Sequence, residues 1–116
     1  MIKSIYEDQH GNTWIGTDGG GLNLLHDGKV SVYTTRDGLS SNVVLALFSD
    51  GAENLWAGTP EGLNRFSHGK FTIYTAADGL ANNDVRSICA DHQGNLWVGT
   101  RGGLTRIHDW SLSNLH

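Results

Sequence analysis

The chain offers six histidines, one cysteine and twelve acidic side chains as candidates for acid–base, nucleophilic or metal chemistry. Their spacing argues against all three. Of His10, His26, His68, His92, His108 and His116, four fall in predicted turns, and no two share a strand face at metal-ligand spacing. A single Cys89 excludes both a disulfide framework and a cysteine-rich zinc site. There is no P-loop, no Gly-x-Gly-x-x-Gly after a strand, no Gly-x-Ser-x-Gly elbow and no His-Glu-x-x-His. The carboxylates instead recur. Asp8, Asp50 and Asp91 each stand six residues before a tryptophan, and Asp37 and Asp78 each stand before Gly-Leu. An aspartate at the start of a turn accepts hydrogen bonds from backbone two or three residues on. A residue needed once per repeat serves structure, so no catalytic residue, metal site or cofactor is expected.

The elements that position these groups follow from a repeat. Trp14-Ile15-Gly16-Thr17, Trp56-Ala57-Gly58-Thr59 and Trp97-Val98-Gly99-Thr100 are spaced by 42 and 41 residues. Residues 44–66 and 85–107 align without a gap at ten identical positions of 23, too many for a chance match of glycine-rich loops. Cys89 aligns with Tyr6 and Phe48 and reads as a small apolar filler. Each unit holds short β-branched or aromatic segments bounded by Gly, Asn or Asp, which predict strands. These are residues 2–7, 14–17, 22–25 and 30–34 in the first unit. They recur at 44–49, 55–59, 63–66 and 71–75, then at 85–90, 96–100 and 104–107. Four strands in about 41 residues match one blade of a β-propeller. The fold class is therefore all-β, with three blades at about 2–43, 44–84 and 85–116.

Composition agrees with this reading. Sixteen glycines in 116 residues accompany one proline and 17% charged residues, a pattern of repeated tight turns and not of a disordered linker. Asp27-Gly28 and His68-Gly69 are expected as hairpin turns between third and fourth strands. In the second unit Asp50-Gly51-Ala52-Glu53-Asn54 places its glycine earlier than its counterparts, which predicts a different turn. Trp110 stands where the third unit should have the hairpin glycine, so its fourth strand is expected to be irregular or absent. A net charge of −4 with scattered basic residues argues against nucleic acid. No apolar run is long enough to cross a bilayer, and the first residues lack an export-signal pattern.

Asp-x-x-Gly-Asn-x-Trp-x-Gly-Thr-x-x-Gly-Leu, followed by a hairpin, an aromatic strand and Asp-Gly-Leu, resembles the two-component regulator propeller repeat over residues 2–109. The resemblance implies the sensor portion of a bacterial histidine kinase, hybrid two-component protein or diguanylate cyclase. It further implies seven-bladed propellers outside the cytoplasm that often respond to carbohydrates, with any kinase or cyclase activity in other domains. It supplies no position-matched ligand residues.

Candidate binding residues come from where the units differ. An up-and-down blade sends its second–third turns and the inter-blade linkers to one rim. There the chain carries Asp18, Glu61, Arg101, Arg36, Asn42 and Asn83, whose chemistry varies between units as a recognition surface on a rigid scaffold requires. The expected function is a non-catalytic sensor or scaffold segment that recognises a ligand or partner. A repeat-built lectin using Trp14, Trp56 and Trp97, or part of a propeller lyase or hydrolase, are the alternatives. Propellers close with typically four to eight blades, so three leave two apolar faces open. Self-association or further blades are the expected partners, and direct membrane insertion is not expected.

Overall fold

A computed structural model describes residues 1–50 and 54–115. It contains three four-stranded antiparallel sheets, each formed from consecutive strands in simple up-and-down order. The first sheet is β1 (Ile2–Glu7), β2 (Thr13–Thr17), β3 (Leu22–His26) and β4 (Lys29–Tyr33). The second is β5 (Ala46–Ser49), β6 (Leu55–Thr59), β7 (Gly62–Ser67) and β8 (Lys70–Tyr74). The third is β9 (Val85–Ala90), β10 (Leu96–Thr100), β11 (Gly103–His108) and β12 (Ser111–Leu115). These are propeller blades, and the three do not close a ring.

Alternation along the strands gives every sheet two chemically different faces. Cross-strand pairing places Trp14 and Gly16 of the first sheet on the face toward the second, beside Leu24 and Leu22. The second sheet answers with Leu55, paired to Phe66 and then Phe71, and with Ala57, paired to Asn64. Trp14, Leu22, Leu47, Leu55 and Ala57 form one core between these sheets. Trp56, Leu63, Leu96, Val98 and Ile107 form its counterpart between the second and third. Trp14 and Trp56 are thus wedges between blades, only 6% and 3% exposed. The same indole in the third unit, Trp97, lies half-buried on that sheet's outer face.

Two short 3-10 turns, Thr35–Asp37 and Ala76–Asp78, carry the chain from one blade to the next. Each is closed reciprocally: Thr34 and Thr75 cap the turn, while Asp37 and Asp78 accept from the Thr34 and Thr75 backbone at 2.9 Å. The following Leu39 and Leu80 plunge into the two cores. Beyond the first linker, Val44 and Leu45 lie outside β5, although the sequence predicts a strand from residue 44. Their backbone N–H groups bridge two blades instead, Val44 donating to Thr17 and Leu45 to Gly58, each at 2.8 Å.

The fourth strand of the third blade corrects the expectation from sequence. β12 pairs with β11 in unbroken register from Ser111 opposite His108 to Leu115 opposite Leu104. Asp109 and Trp110 adopt φ of 50° and 65°, matching Asp27-Gly28 and His68-Gly69. A left-handed residue with a Cβ costs about 1–2 kcal/mol. The Trp110 ring finds compensating contacts, 6.1 Å from the Trp56 ring and 4.6 Å from the Arg65 guanidinium. Leu112 of β12 also packs onto the second core. The altered Asp50–Asn54 turn inferred from Gly51 falls on residues 51–53, outside the described residues.

Because Leu39 and Leu80 each anchor a linker in a core while only 3% exposed, Leu39→Ala and Leu80→Ala are each expected to cost about 2–5 kcal/mol. Urea unfolding measures this, and a cost under about 1 kcal/mol for either would refute the anchoring role.

Candidate functional site

The repeated carboxylates organise the turns that join first and second strands. One oxygen of Asp8 accepts the backbone N–H groups of His10 (2.9 Å) and Asn12 (3.0 Å). Its other oxygen accepts the Asn12 side-chain amide and the Trp14 indole N–H, both at 3.0 Å. Asp91 repeats the arrangement with Gln93, Asn95 and Trp97, at 2.8–3.0 Å. Asp50 holds the backbone and side-chain amides of Asn54. The sequence indicated a turn role, but the partners lie two and four residues on, not two or three, and the indole bond escaped it. The constant six-residue interval from Asp to Trp was the available signal.

These bonds set the electrostatics. Burial pushes the Asp8 carboxyl upward, but hydrogen bonds from Asn12, Trp14 and the local backbone outweigh it and hold the group below its ordinary value. Asp91 lies well below its ordinary value, chiefly through Asn95 and Trp97. Both carboxylates have each oxygen engaged by two donors, which leaves them braces and not acids or bases for a substrate.

The linker rim holds the residues singled out by variability, and the structure divides them. Asn42 accepts from the Thr35 backbone at 2.9 Å, and its carbonyl accepts from Gly19 and Gly21. Asn83, its repeat equivalent, accepts from the Ala76 backbone at 2.7 Å. Both therefore brace the linkers. Arg101 reaches toward Asp84, 3.9 Å away, and its backbone N–H donates to the Asp84 carbonyl. Asp18, Glu61 and Arg36 are exposed in three separate turns. Asp18 and Glu61 are tied down through their backbone N–H groups, to Met1 and to the Thr59 hydroxyl.

Two clefts open on the opposite rim, where variability in the linkers gave no hint. One, about 240 Å³, lies between the first and second sheets beside Trp14, Phe66, Asn12 and His68. The other, about 360 Å³, lies between the second and third beside Trp56, Ile107, Asn95, Asp91, Asp109 and Trp110. They are repeat equivalents. Ile107 stands where the first has Phe66, and Trp110 supplies from the turn the aromatic contact that Phe66 makes with Trp14 at 5.7 Å. The misplaced hairpin residue was visible in the sequence, whereas its contact with the preceding blade was not.

Comparison with known proteins now bears on this architecture. The family model described as two component regulator propeller matches residues 1–19 and 79–102. These segments are two-component regulator propeller repeats. Each runs through a first strand into the Trp-x-Gly-Thr strand, and the middle unit, with its displaced glycine, is not matched. Among solved structures, the extracellular domain assigned to a hybrid two component system of B. thetaiotaomicron superposes with a TM-score of 0.79 at 34% identity. The alignment covers 99% of this chain and 16% of that one. A second such domain from the same organism gives 0.83 at 24% identity, covering 98% and 18%. Virginiamycin B lyase from Staphylococcus aureus gives 0.68 at 19%, covering 98% and 40%, a likeness of fold alone. The chain thus spans under a fifth of the length of the sensor domains. A search of curated proteins finds no significant match.

Asp8 and Asp91 predict an acid-sensitive fold. Their pKa values are lowered in the folded chain, so their contribution is complete above the unfolded value of about 3.9. It fades as pH falls through the lower folded values. Urea midpoints taken from pH 7 to pH 3 should therefore drop below about pH 4, and Asp91→Asn should flatten that drop. An unaltered profile in the variant would show that Asp91 does not couple to folding.

Proposed function

We propose that the chain is a non-catalytic recognition segment of a bacterial signalling protein of the two-component type, working outside the cytoplasm. The observation that carries this reading is 34% identity along 99% of the chain to an extracellular domain of a hybrid two component system. The engagement of both oxygens of Asp8 and Asp91 supports a scaffold role over catalysis. Burial of Trp14 and Trp56 disfavours the lectin alternative, which needs those rings exposed as sugar platforms. The lyase likeness extends only to fold.

In this proposal the linker rim is the contact surface, with Asp18, Glu61, Arg36 and Arg101 presented from rigid turns. The ligand class is carbohydrate, or else a protein partner. Signalling follows by population shift: a ligand that binds one arrangement of blades more tightly raises its share. Further blades or a second copy cover the two open faces.

A glycan array probed with the purified chain tests the carbohydrate arm. Binding should fall at least about tenfold, near the loss of one charged hydrogen bond, in Arg101→Ala and Glu61→Ala, with circular dichroism unchanged. Retained binding in both variants would place recognition elsewhere, and no glycan bound at all would remove carbohydrate as the ligand class.

A further inference from the structure

Each blade-to-blade junction contains one buried polar contact in addition to its apolar core. At the first junction, Asn64 of β7 is wholly buried. Its carbonyl oxygen accepts the backbone N–H of Ser40 at 2.9 Å, and its amide donates to the Ser40 hydroxyl at 2.8 Å and to the Ala57 carbonyl at 3.1 Å. The Ser40 hydroxyl also lies 2.7 Å from that of Thr59. At the second junction the equivalent of Asn64 is Thr105, also wholly buried. It accepts the backbone N–H of Ala81 at 2.9 Å and turns its own hydroxyl to Asn114 at 2.7 Å. Ala81, having no hydroxyl, asks nothing more. The residue after Asp-Gly-Leu and the polar residue on the next blade are therefore matched: Ser with Asn, Ala with Thr.

The first blade carries the receiving half of such a junction on its outer face. Asn23 occupies the Asn64 position, paired between Ile15 and Val32 as Asn64 is between Ala57 and Ile73. Thr17 stands where Thr59 does. Around them Ile5, Val30, Val32 and Leu25 are exposed by 63%, 62%, 52% and 37%, an apolar patch on a face that is covered in both other blades. The linker glycines Gly38 and Gly79 lie against Phe71 and Leu112, the residues equivalent to Val30.

We propose that this outer face is a docking surface for a preceding propeller blade whose linker reads Gly-Leu-Ser. Glycine lies over Val30, leucine enters the apolar patch, and serine is read by Asn23 and Thr17. Ser is selected over Ala because Asn23 has an amide donor that only a hydroxyl at that place satisfies. An unmatched buried amide costs free energy, which makes the pairing selective. This inference rests on the reading above that further blades cover the open faces, and not on the ligand proposed there.

The test extends the chain with a copy of its own residues 1–42 ahead of Met1, a length equal to the first repeat interval. Hydrogen exchange of the Asn23 side-chain amide, followed by NMR, should slow by about tenfold or more relative to the 116-residue chain. Ser40→Ala in the added unit alone should reverse most of that protection, and Asn23→Thr together with it should restore the melting temperature. Unchanged Asn23 exchange in a folded extended chain, or indifference to Ser against Ala, would overturn the proposal. So would an unextended chain that dimerises with Asn23 already protected, because the occupant would then be a second copy. Should the extended chain fail to fold, a cycle of Ser40→Ala and Asn64→Thr in the 116-residue chain decides the matching rule. The double variant should unfold with an equilibrium constant at least about tenfold smaller than additivity predicts; additive effects would refute it.

Discussion

The architecture rests on a close approach of one blade to the second strand of the blade before it. Gly16 and Gly58, the glycines of Trp-x-Gly-Thr, are the floor on which the next blade's first valine sits. A Cβ on Gly58 would lie 2.5 Å from the Val85 side chain, and one on Gly16 would lie 2.8 Å from Val44. Both valines are wholly buried. Valine is stiff about χ1 and cannot swing aside, and a packed interior does not absorb an added methyl without displacement. The seat therefore fixes how near successive sheets stand. With that separation set, the neighbouring indole fills the wider space toward the turn rim, and the linker leucine and its polar contact close the space toward the linker rim.

The other recurrent residues serve that seat. Asp8 holds the indole N–H of Trp14, the ring that wedges between the first two sheets, and Asp91 holds that of Trp97 on the outer face of the third. The Thr34–Asp37 and Thr75–Asp78 pairs hold the linker in the turn that delivers Leu39 and Leu80 to the cores. The linker positions and the wedged indoles thereby act on the junctions between blades. Variation is left to the exposed turns, where the side chains of Asp18 and Glu61 are acidic and that of Arg101 is basic.

Much of this was legible in the sequence because a repeat supplies internal alignment. Blade number and strand order follow from interval and periodicity alone, whereas nothing in the interval separates Trp97, on an outer face, from the wedged Trp14 and Trp56. Contacts across blades were not legible, since they join residues at unrelated separations. The indole bond to Asp8, the reading of Ser40 by Asn64 and the clefts at the turn rim are of that kind. Trp110 shows the limit most clearly. Local rules forbid a bulky residue in that turn, yet Ile107 leaves space where Phe66 stands in the preceding blade, and Trp110 fills it against Trp56. A tertiary contact overrode a local preference. Among the candidate rim residues, Asn42 and Asn83 are linker braces and not the varying contacts expected from sequence; their matched interval of 41 was the signal for that role.

The seat can be tested against a control within the same chain. Gly99 is the third glycine of the motif, but the three atoms nearest a Cβ there all belong to Ser87 of its own sheet, whose hydroxyl can rotate away, and none to a valine. Native-state hydrogen exchange and urea unfolding of Gly58→Ala and Gly99→Ala make the comparison. The account predicts that Gly58→Ala lowers stability by about 1–3 kcal/mol and selectively loses protection in the third sheet, while Gly99→Ala costs less than half as much. Equal effects of the two substitutions, or a Gly58→Ala chain that keeps its third sheet fully protected, would contradict it.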